Sequence, residues 1–472
     1  MKRDAPAIFR EPALDAFIDW AERLSWDDVP RATQRMVKYE LLDYLGAAIA
    51  GRGVAGMPRW LAVLTEMGGR PAASVIGGPR VPAPTAALCN GYFGHVLEYD
   101  DTHDEAVLHA GAAAIPAALA AAQSAGQTHG RALCEAALLG IDLTCRLGVA
   151  TRLNLVAGGW IYTALFGHFG AALAAARLID PRPEAIRNAL GIVYCLASGN
   201  HQSTREGAPT KHLQPGFAAA NGVLAALMAG NGLAGVEQPL SGEDGLNRVY
   251  LHDSLDLQRM VAGLGCDFEI DRLSFKPYPT CRLTHPAISA ALRLRAEIGA
   301  ETARATEVAL TIGPQAHDVV GRAAGARLAP ETRIAAQFSV YWAVAAALLH
   351  GEVTPRQLIA EVPPSQALSE VIARVRCRPD AAAAERDVGG CTLVAHGPFG
   401  TREVRETHAK GHPANPLSEE ELRAKFSANA ELAGFSRAAA DALADSILDL
   451  DRVADMTPFI AELERAATLP PR

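Results

Sequence analysis

The sequence predicts a mainly α protein: an all-helical domain assembled from N- and C-terminal segments, with an α+β lid domain inserted between them. Three observations carry that reading. Residues up to about 265 are dense in Ala and Leu at helical spacing, the texture turns to alternation after about 268, and helical signals return from about 410. The expected partition is 1–267, 268–408 and 409–472, with the last segment packing back on the first.

In chain order, Val37, Leu41, Leu45, Ala48 and Ile49 share one helical face, and Gly51 and Gly53 are expected to end that helix. Further helices are expected at about 84–101, 111–125, 131–149, 162–178, 183–198, 213–229 and 255–264. Gly/Pro clusters at 77–84 (GGPRVPAP) and 206–210 (EGAPT) punctuate them. The apolar run that starts at Gly111 is Ala-rich and carries Pro116, so it reads as a buried helix and not a lipid-facing one. Beyond 268, TEVALTI (306–312), VRCR (375–378) and CTLVAH (391–396) read as strands. Helices at 332–350 and 355–361 lie between them, the second opened by Thr354-Pro355. In the tail, Ser418 and Glu421 form a capping box, and Ser436 caps a further helix.

The chain has 472 residues, of which 49% are hydrophobic and 20% charged, the balance of a globular protein with room for a large core. A net charge of −8 argues against a nucleic-acid partner, while leaving room for a locally basic pocket. No apolar segment follows the basic start, so no signal peptide and no membrane partner are expected. The eight cysteines contain no CxxC, which points away from zinc ribbons and iron–sulfur clusters and toward reduced thiols in a cytoplasm. Only six of the 44 basic residues are lysine: Lys2, Lys38, Lys211, Lys276, Lys410 and Lys425. Lys is a compact charge whose pKa can shift, so a Lys kept in an Arg-using chain marks a candidate for chemistry.

Three polar clusters stand out. His95, Glu98 and Thr102 fall at i, i+3 and i+7, one face of a continued helix, within a block that also holds Asp100, Asp101, His103, Asp104 and His109. A carboxylate, a hydroxyl and an imidazole facing one pocket can move protons. The same block fits DDxxD, the Mg²⁺-diphosphate motif of prenyl-transferring enzymes, but the low aromatic content and the lack of a second acidic motif weigh against that reading. The second cluster is Lys211-His212. The third runs from Lys276 through Cys281 and Arg282 to His285, where Lys276, Arg282 and His285 could clamp carboxylates.

These blocks resemble the MmgE/PrpD family, which includes 2-methylcitrate dehydratases, cis-aconitate decarboxylases and iminodisuccinate epimerases. The matching stretches are LLDYLGAAIAG (41–51), NGYFGHVLEYDDTH (90–103), HAGAAAIPAALA (109–120), GWIYTALFG (159–167), TKHLQPGFAAANG (210–222), KPYPTCRLTHPAI (276–288), AQFSVYWAVAAALLHG (336–351) and GHPANPLSEEELRAKF (411–426). The resemblance implies a homodimer with the active site between the helical domain and the lid. It implies catalytic roles for Glu98 (where Asp is usual), Thr102, His109, Lys211 and Lys276, with His95, Cys281, Arg282 and His285 binding substrate. It further implies metal- and cofactor-free proton abstraction next to a carboxylate of a small di- or tricarboxylate. Dehydration of a 2-methylcitrate-like acid is the first expectation, with decarboxylation, epimerisation or an inactive binding scaffold as alternatives. The sequence departs from the family pattern at Ile161, where His is frequent, at the Phe338–Trp342 block, and by one extra residue between Thr102 and His109.

Overall fold

The computed structural model describes residues 11–55, 58–127, 129–153, 158–382 and 390–465. The fold is mainly α, and its apolar residues segregate into two cores. The first draws on residues 13–275 and again on 422–463, with Phe17, Tyr44, Phe93, Phe169 and Phe426 fully buried in it. The second spans 283–404 and is built around Ile288, Leu310, Tyr341, Trp342 and Leu393.

The Gly111–Ala125 helix is the axis of the first core, and every residue from Gly111 to Ala122 is buried. The Ala83–His95, Gly130–Ala150, Gly167–Ile179 and Thr210–Gly230 helices surround it. Small side chains let these helices approach closely. At one crossing, a Cβ on Gly91 would lie 2.7 Å from the Cα of Gly216. That contact sets the C-terminal half of the Ala83–His95 helix against the second turn of Thr210–Gly230, one turn on from Lys211 and His212. The stretch Tyr162–Ile179 is apolar and long enough to cross a membrane, but 89% of it is buried inside the protein.

Several expected helices have different bounds. Arg31–Ala55 runs through Gly51 and Gly53, which do not end it. Gly51 is required by proximity instead, since a Cβ there would lie 2.0 Å from the Phe93 carbonyl oxygen. The helix expected to reach 101 stops at His95, because Glu98 takes a left-handed backbone with φ of 51°. The 332–350 stretch is two helices, Arg333–Gln337 and Val340–His350, the second capped by the Ser339 hydroxyl on Trp342 N.

The second core holds a four-stranded sheet in the order Val375–Pro379, Glu307–Ile312, Cys391–Gly397, Gly400–Glu406. The first pair is parallel and the other two are antiparallel. Glu307–Ile312 alternates as expected, with Val308, Leu310 and Ile312 buried. Gly400–Glu406 was not expected as a strand, and only Val404 of it is buried, so its sequence carries little apolar alternation. The His285–Ile298 and Val340–His350 helices pack on this sheet and on each other. The chain then returns to the first core, where Glu419–Leu432 lies along Arg31–Ala55. The capping box at Ser418 and Glu421 is present, with reciprocal bonds of 2.7 and 3.1 Å.

Candidate active site

The site forms where the Ala83–His95 helix ends. The chain turns at Glu98, passes through Thr102–His103, which pairs antiparallel with Leu273–Ser274, and enters the Gly111–Ala125 helix. The short pairing brings Lys276 beside the turn. Left-handed backbone at Glu98 and at the β-branched Val107 (φ 55°) costs about 1–3 kcal/mol each, strain of the kind that concentrates at functional sites.

Glu98 is the hub. Its Oε1 accepts from the Lys211 ammonium and lies 3.3 Å from His212 Nε2. Its Oε2 and its carbonyl oxygen lie 3.3 and 3.1 Å from Lys276 Nζ. Burial alone would raise the Glu98 pKa, but Lys211, Lys276 and His95 outweigh it and hold the carboxyl well below its ordinary range. The expectation that His95, Glu98 and Thr102 share a helix face fails because the helix has already ended. Tertiary contacts bring His95 and Glu98 together instead, at 3.6 Å.

His95 is fully buried and does not line the cleft. Its Nδ1 is 2.7 Å from Asp100 Oδ2, and its Nε2 faces the Lys211 ammonium at 2.7 Å. It is placed to hold Lys211 rather than to touch a substrate. Asp100 is pulled down by His95 and His109 against the effect of burial. Asp101 points elsewhere, accepting from the N–H groups of Ala110 and Gly111 at 2.8 and 3.2 Å and so capping the next helix. Asp104 pairs with Arg282 and Ser274. The three carboxylates of the DDxxD motif therefore take three separate partners instead of converging on a shared cation.

His109 lines the cleft. Its Nδ1 lies 2.6 Å from the Asp101 carbonyl, so that nitrogen carries the proton and Nε2 presents its lone pair. Nε2 stands 4.0 Å from Glu98 Oε2. Burial, reinforced by Lys276, lowers the His109 pKa to about 3, which keeps the ring neutral. Thr102 Oγ1 donates to the same Asp101 carbonyl at 2.8 Å, and the Thr163 hydroxyl accepts from His109 N.

The cleft between the two cores is lined from the first by Glu98, Thr102, His109, Ile161, Thr163, His201, Thr204 and Lys211. The second supplies Arg282, Leu283, Gln315, Val319 and Phe338, with Cys281 at their border. Lys276 is wholly buried behind Glu98 and acts on the cleft through it. Burial raises the Cys281 thiol to about 11, so it is present as a thiol. The Arg282 guanidinium already spends Nε and Nη2 on Asp104, leaving only the buried Nη1 without a partner, so it is not a free bidentate clamp. His285 is fully buried with Nε2 3.2 Å from the Thr280 carbonyl and does not line the cleft, which removes it from the expected substrate-binding set. His201, Thr204 and Gln315 were not singled out from the sequence, because a lone His or Thr near a Gly/Pro-rich turn carries no signal of its own.

Among the described residues, one group, His95, Asp100 and His109, has potential metal-ligand atoms within 4.8 Å of one another. Both His95 nitrogens are already engaged, and the neighbouring Lys211 and Lys276 ammonium groups make the position unfavourable for a cation.

Profiles of known families fit this architecture. The MmgE/PrpD N-terminal domain matches residues 15–258 and the MmgE/PrpD C-terminal domain residues 278–450. The chain belongs to the MmgE/PrpD family. It is similar to the cis-aconitate decarboxylase of Aspergillus terreus, 29% identical over 301 residues, a match that covers 61% of each chain. It is also similar to the cis-aconitate decarboxylase of Mus musculus, 26% identical over 417 residues, covering 86% of this chain and 83% of that protein.

Proposed function

We propose that the protein is a lyase that removes a proton alpha to a carboxylate of a small di- or tricarboxylate, with dehydration of a hydroxy acid as its reaction. The observation that carries this reading is His109. Its Nδ1 proton is committed to the Asp101 carbonyl, its neutral Nε2 opens on the cleft, and an ammonium–carboxylate cluster stands beside it. A neutral imidazole in this setting is a base, not an acid, at neutral pH.

In this mechanism, His109 Nε2 takes the alpha proton while Lys211 carries the charge that develops on the adjacent carboxylate. The imidazolium formed is offset by Asp100 Oδ2, 3.7 Å from His109 Nδ1, and by Glu98. The carbanion-like species then expels hydroxide, which leaves as water with a proton from the Lys211 ammonium, and the product is an alkene. The reading includes a cytoplasmic homodimer that works without metal or organic cofactor.

The names of the relatives support a second reading, decarboxylation of a cis-aconitate-like acid. It shares the carbanion-like intermediate and would direct the departing carboxylate toward the apolar wall of Ile161, Val319 and Phe338. One experiment separates the two. Purified protein in D₂O with EDTA is incubated with 2-methylcitrate, citrate, cis-aconitate or iminodisuccinate and followed by proton NMR. An alkene arising from a hydroxy acid, with deuterium exchange at the alpha carbon, is expected. Release of carbon dioxide selects the second reading, and silence on all four acids overturns both. His109→Ala should lower turnover by ~10²–10⁴-fold while the protein stays folded; near-normal turnover would remove His109 from its role.

A further inference from the structure

The cleft wall contributed by the first core contains a polar turn with no task in the chemistry above. Residues 159–161 run antiparallel to 199–201, held by Ile161 N to the Gly199 carbonyl and His201 N to the Gly159 carbonyl at 2.8 Å. That pairing fixes the turn entering the Gln202–Glu206 helix, and His201 and Thr204, three residues apart, both line the cleft. His201 is only 8% exposed and Thr204 9%, yet His201 Nδ1 and Thr204 Oγ1 have no hydrogen-bond partner among the described residues. A buried polar atom left unpaired costs about 1–3 kcal/mol. Two such atoms, on residues that line the same cavity, are available to a group that enters it.

The field at this turn is positive. Burial first, then Arg205 and Lys211, lower the His201 pKa to about 4. Neutral donors in a positive field match an anion. We propose that His201 and Thr204 form the subsite for a second carboxylate of the substrate, which accepts from the Thr204 hydroxyl and from the His201 ring. This rests on the polycarboxylate reading above and deepens it: the acid must carry a carboxylate beyond the one next to the reacting carbon. His201 is a specificity-determining residue here and takes no proton in the reaction.

Binding of an inert tricarboxylate, propane-1,2,3-tricarboxylate, measured by calorimetry tests the subsite without turnover. Wild-type protein should bind it more tightly than butyrate, and Thr204→Val and His201→Leu should each weaken it about tenfold, as expected for loss of one charge-assisted hydrogen bond. With a substrate identified by NMR, the same variants should raise KM by a similar factor and keep kcat within about threefold. Unchanged affinity in both folded variants overturns the proposal, as does failure of wild-type protein to bind the tricarboxylate. A loss of kcat at constant KM in His201→Leu also overturns it, by placing the ring on the reacting atoms. If the tricarboxylate binds through this turn but no acid exchanges its alpha proton, the subsite stands and the lyase reading falls. If exchange occurs and the variants bind normally, the reverse holds.

Discussion

Glu40 lies behind the site with neither carboxyl oxygen hydrogen-bonded among the described residues, and it is fully buried. Burial, then Asp101, Asp43 and Asp100, raise its pKa well above the ordinary value and favour its protonated form. A carboxyl raised in the folded state stabilises below its unfolded pKa, and that contribution is lost as pH rises toward the folded value. Glu40→Gln removes this term at nearly the same volume. Its thermal midpoint should therefore rise relative to wild type between pH 5 and pH 8, and a difference that is constant or moves the other way would show that Glu40 is ionised. Glu40 was invisible in the sequence because an acid on an apolar helix reads the same whether it faces a core or solvent. The scarcity of lysine was informative by contrast. Lys211, Lys276 and Lys425 are all buried, whereas Lys38 and Lys410 make ion pairs toward the surface. The sequence pointed to the first two and passed over Lys425, whose partners Asp43 and the Tyr99 carbonyl are more than 300 residues away. His109 and Glu98 were legible as residue types in a dense block, but the turn that makes them meet was not. It depends on a left-handed Glu that no local signal marks.

Among the elements, the Arg31–Ala55 and Ala83–His95 helices cross where Gly51 meets the Phe93 carbonyl. A methyl group there cannot be absorbed by a flexible side chain, because the obstacle is backbone. Gly51→Ala should destabilise the protein by about 1–3 kcal/mol despite the better helix propensity of Ala, and thermal denaturation would register this as a lower midpoint. An unchanged or higher midpoint would mean the two helices can separate freely. The sequence located most helices because Ala- and Leu-rich periodicity persists over many residues, and the predicted cap at Ser418 is present. It misplaced ends where tertiary contact overrides local preference, as at Gly51 and His95. It missed the Gly400–Glu406 strand, whose place comes from hairpin pairing with Cys391–Gly397 and not from its own pattern.

For the molecule as a whole, buried titratable groups pull stability in opposite directions with pH. Glu40 and Asp101, the latter raised to about 8 by burial and by Asp100, favour acid. Buried neutral histidines favour base. His168 is one of these, held between the Ala164 carbonyl at 2.6 Å and Asn221 at 3.1 Å, and burial lowers it to about 4. Between that value and the unfolded pKa near 6.5 the unfolded chain binds the extra proton, so stability falls as pH drops through this window. Relative to wild type, His168→Asn should gain stability between pH 7 and pH 4, by up to about 1.4 kcal/mol per pH unit, measured as the difference in urea unfolding free energy. A pH-independent difference would mean that His168 takes up its proton equally in the folded and unfolded chains.

The return of the chain to its first core also has a consequence in time. Lys425, on the Glu419–Leu432 helix, bonds Asp43 at 2.6 Å and the Tyr99 carbonyl at 2.7 Å, next to the turn that carries Glu98. Synthesis runs from the N-terminus, and every group of the cleft, from Glu98 to Phe338, is made before this brace. A nascent chain still lacking residue 425 carries all the residues that line the cleft but not the ammonium that Asp43 and the Tyr99 carbonyl bond in the full chain. Ribosomes stalled short of this point would carry every residue of the cleft without the helix that braces its turn.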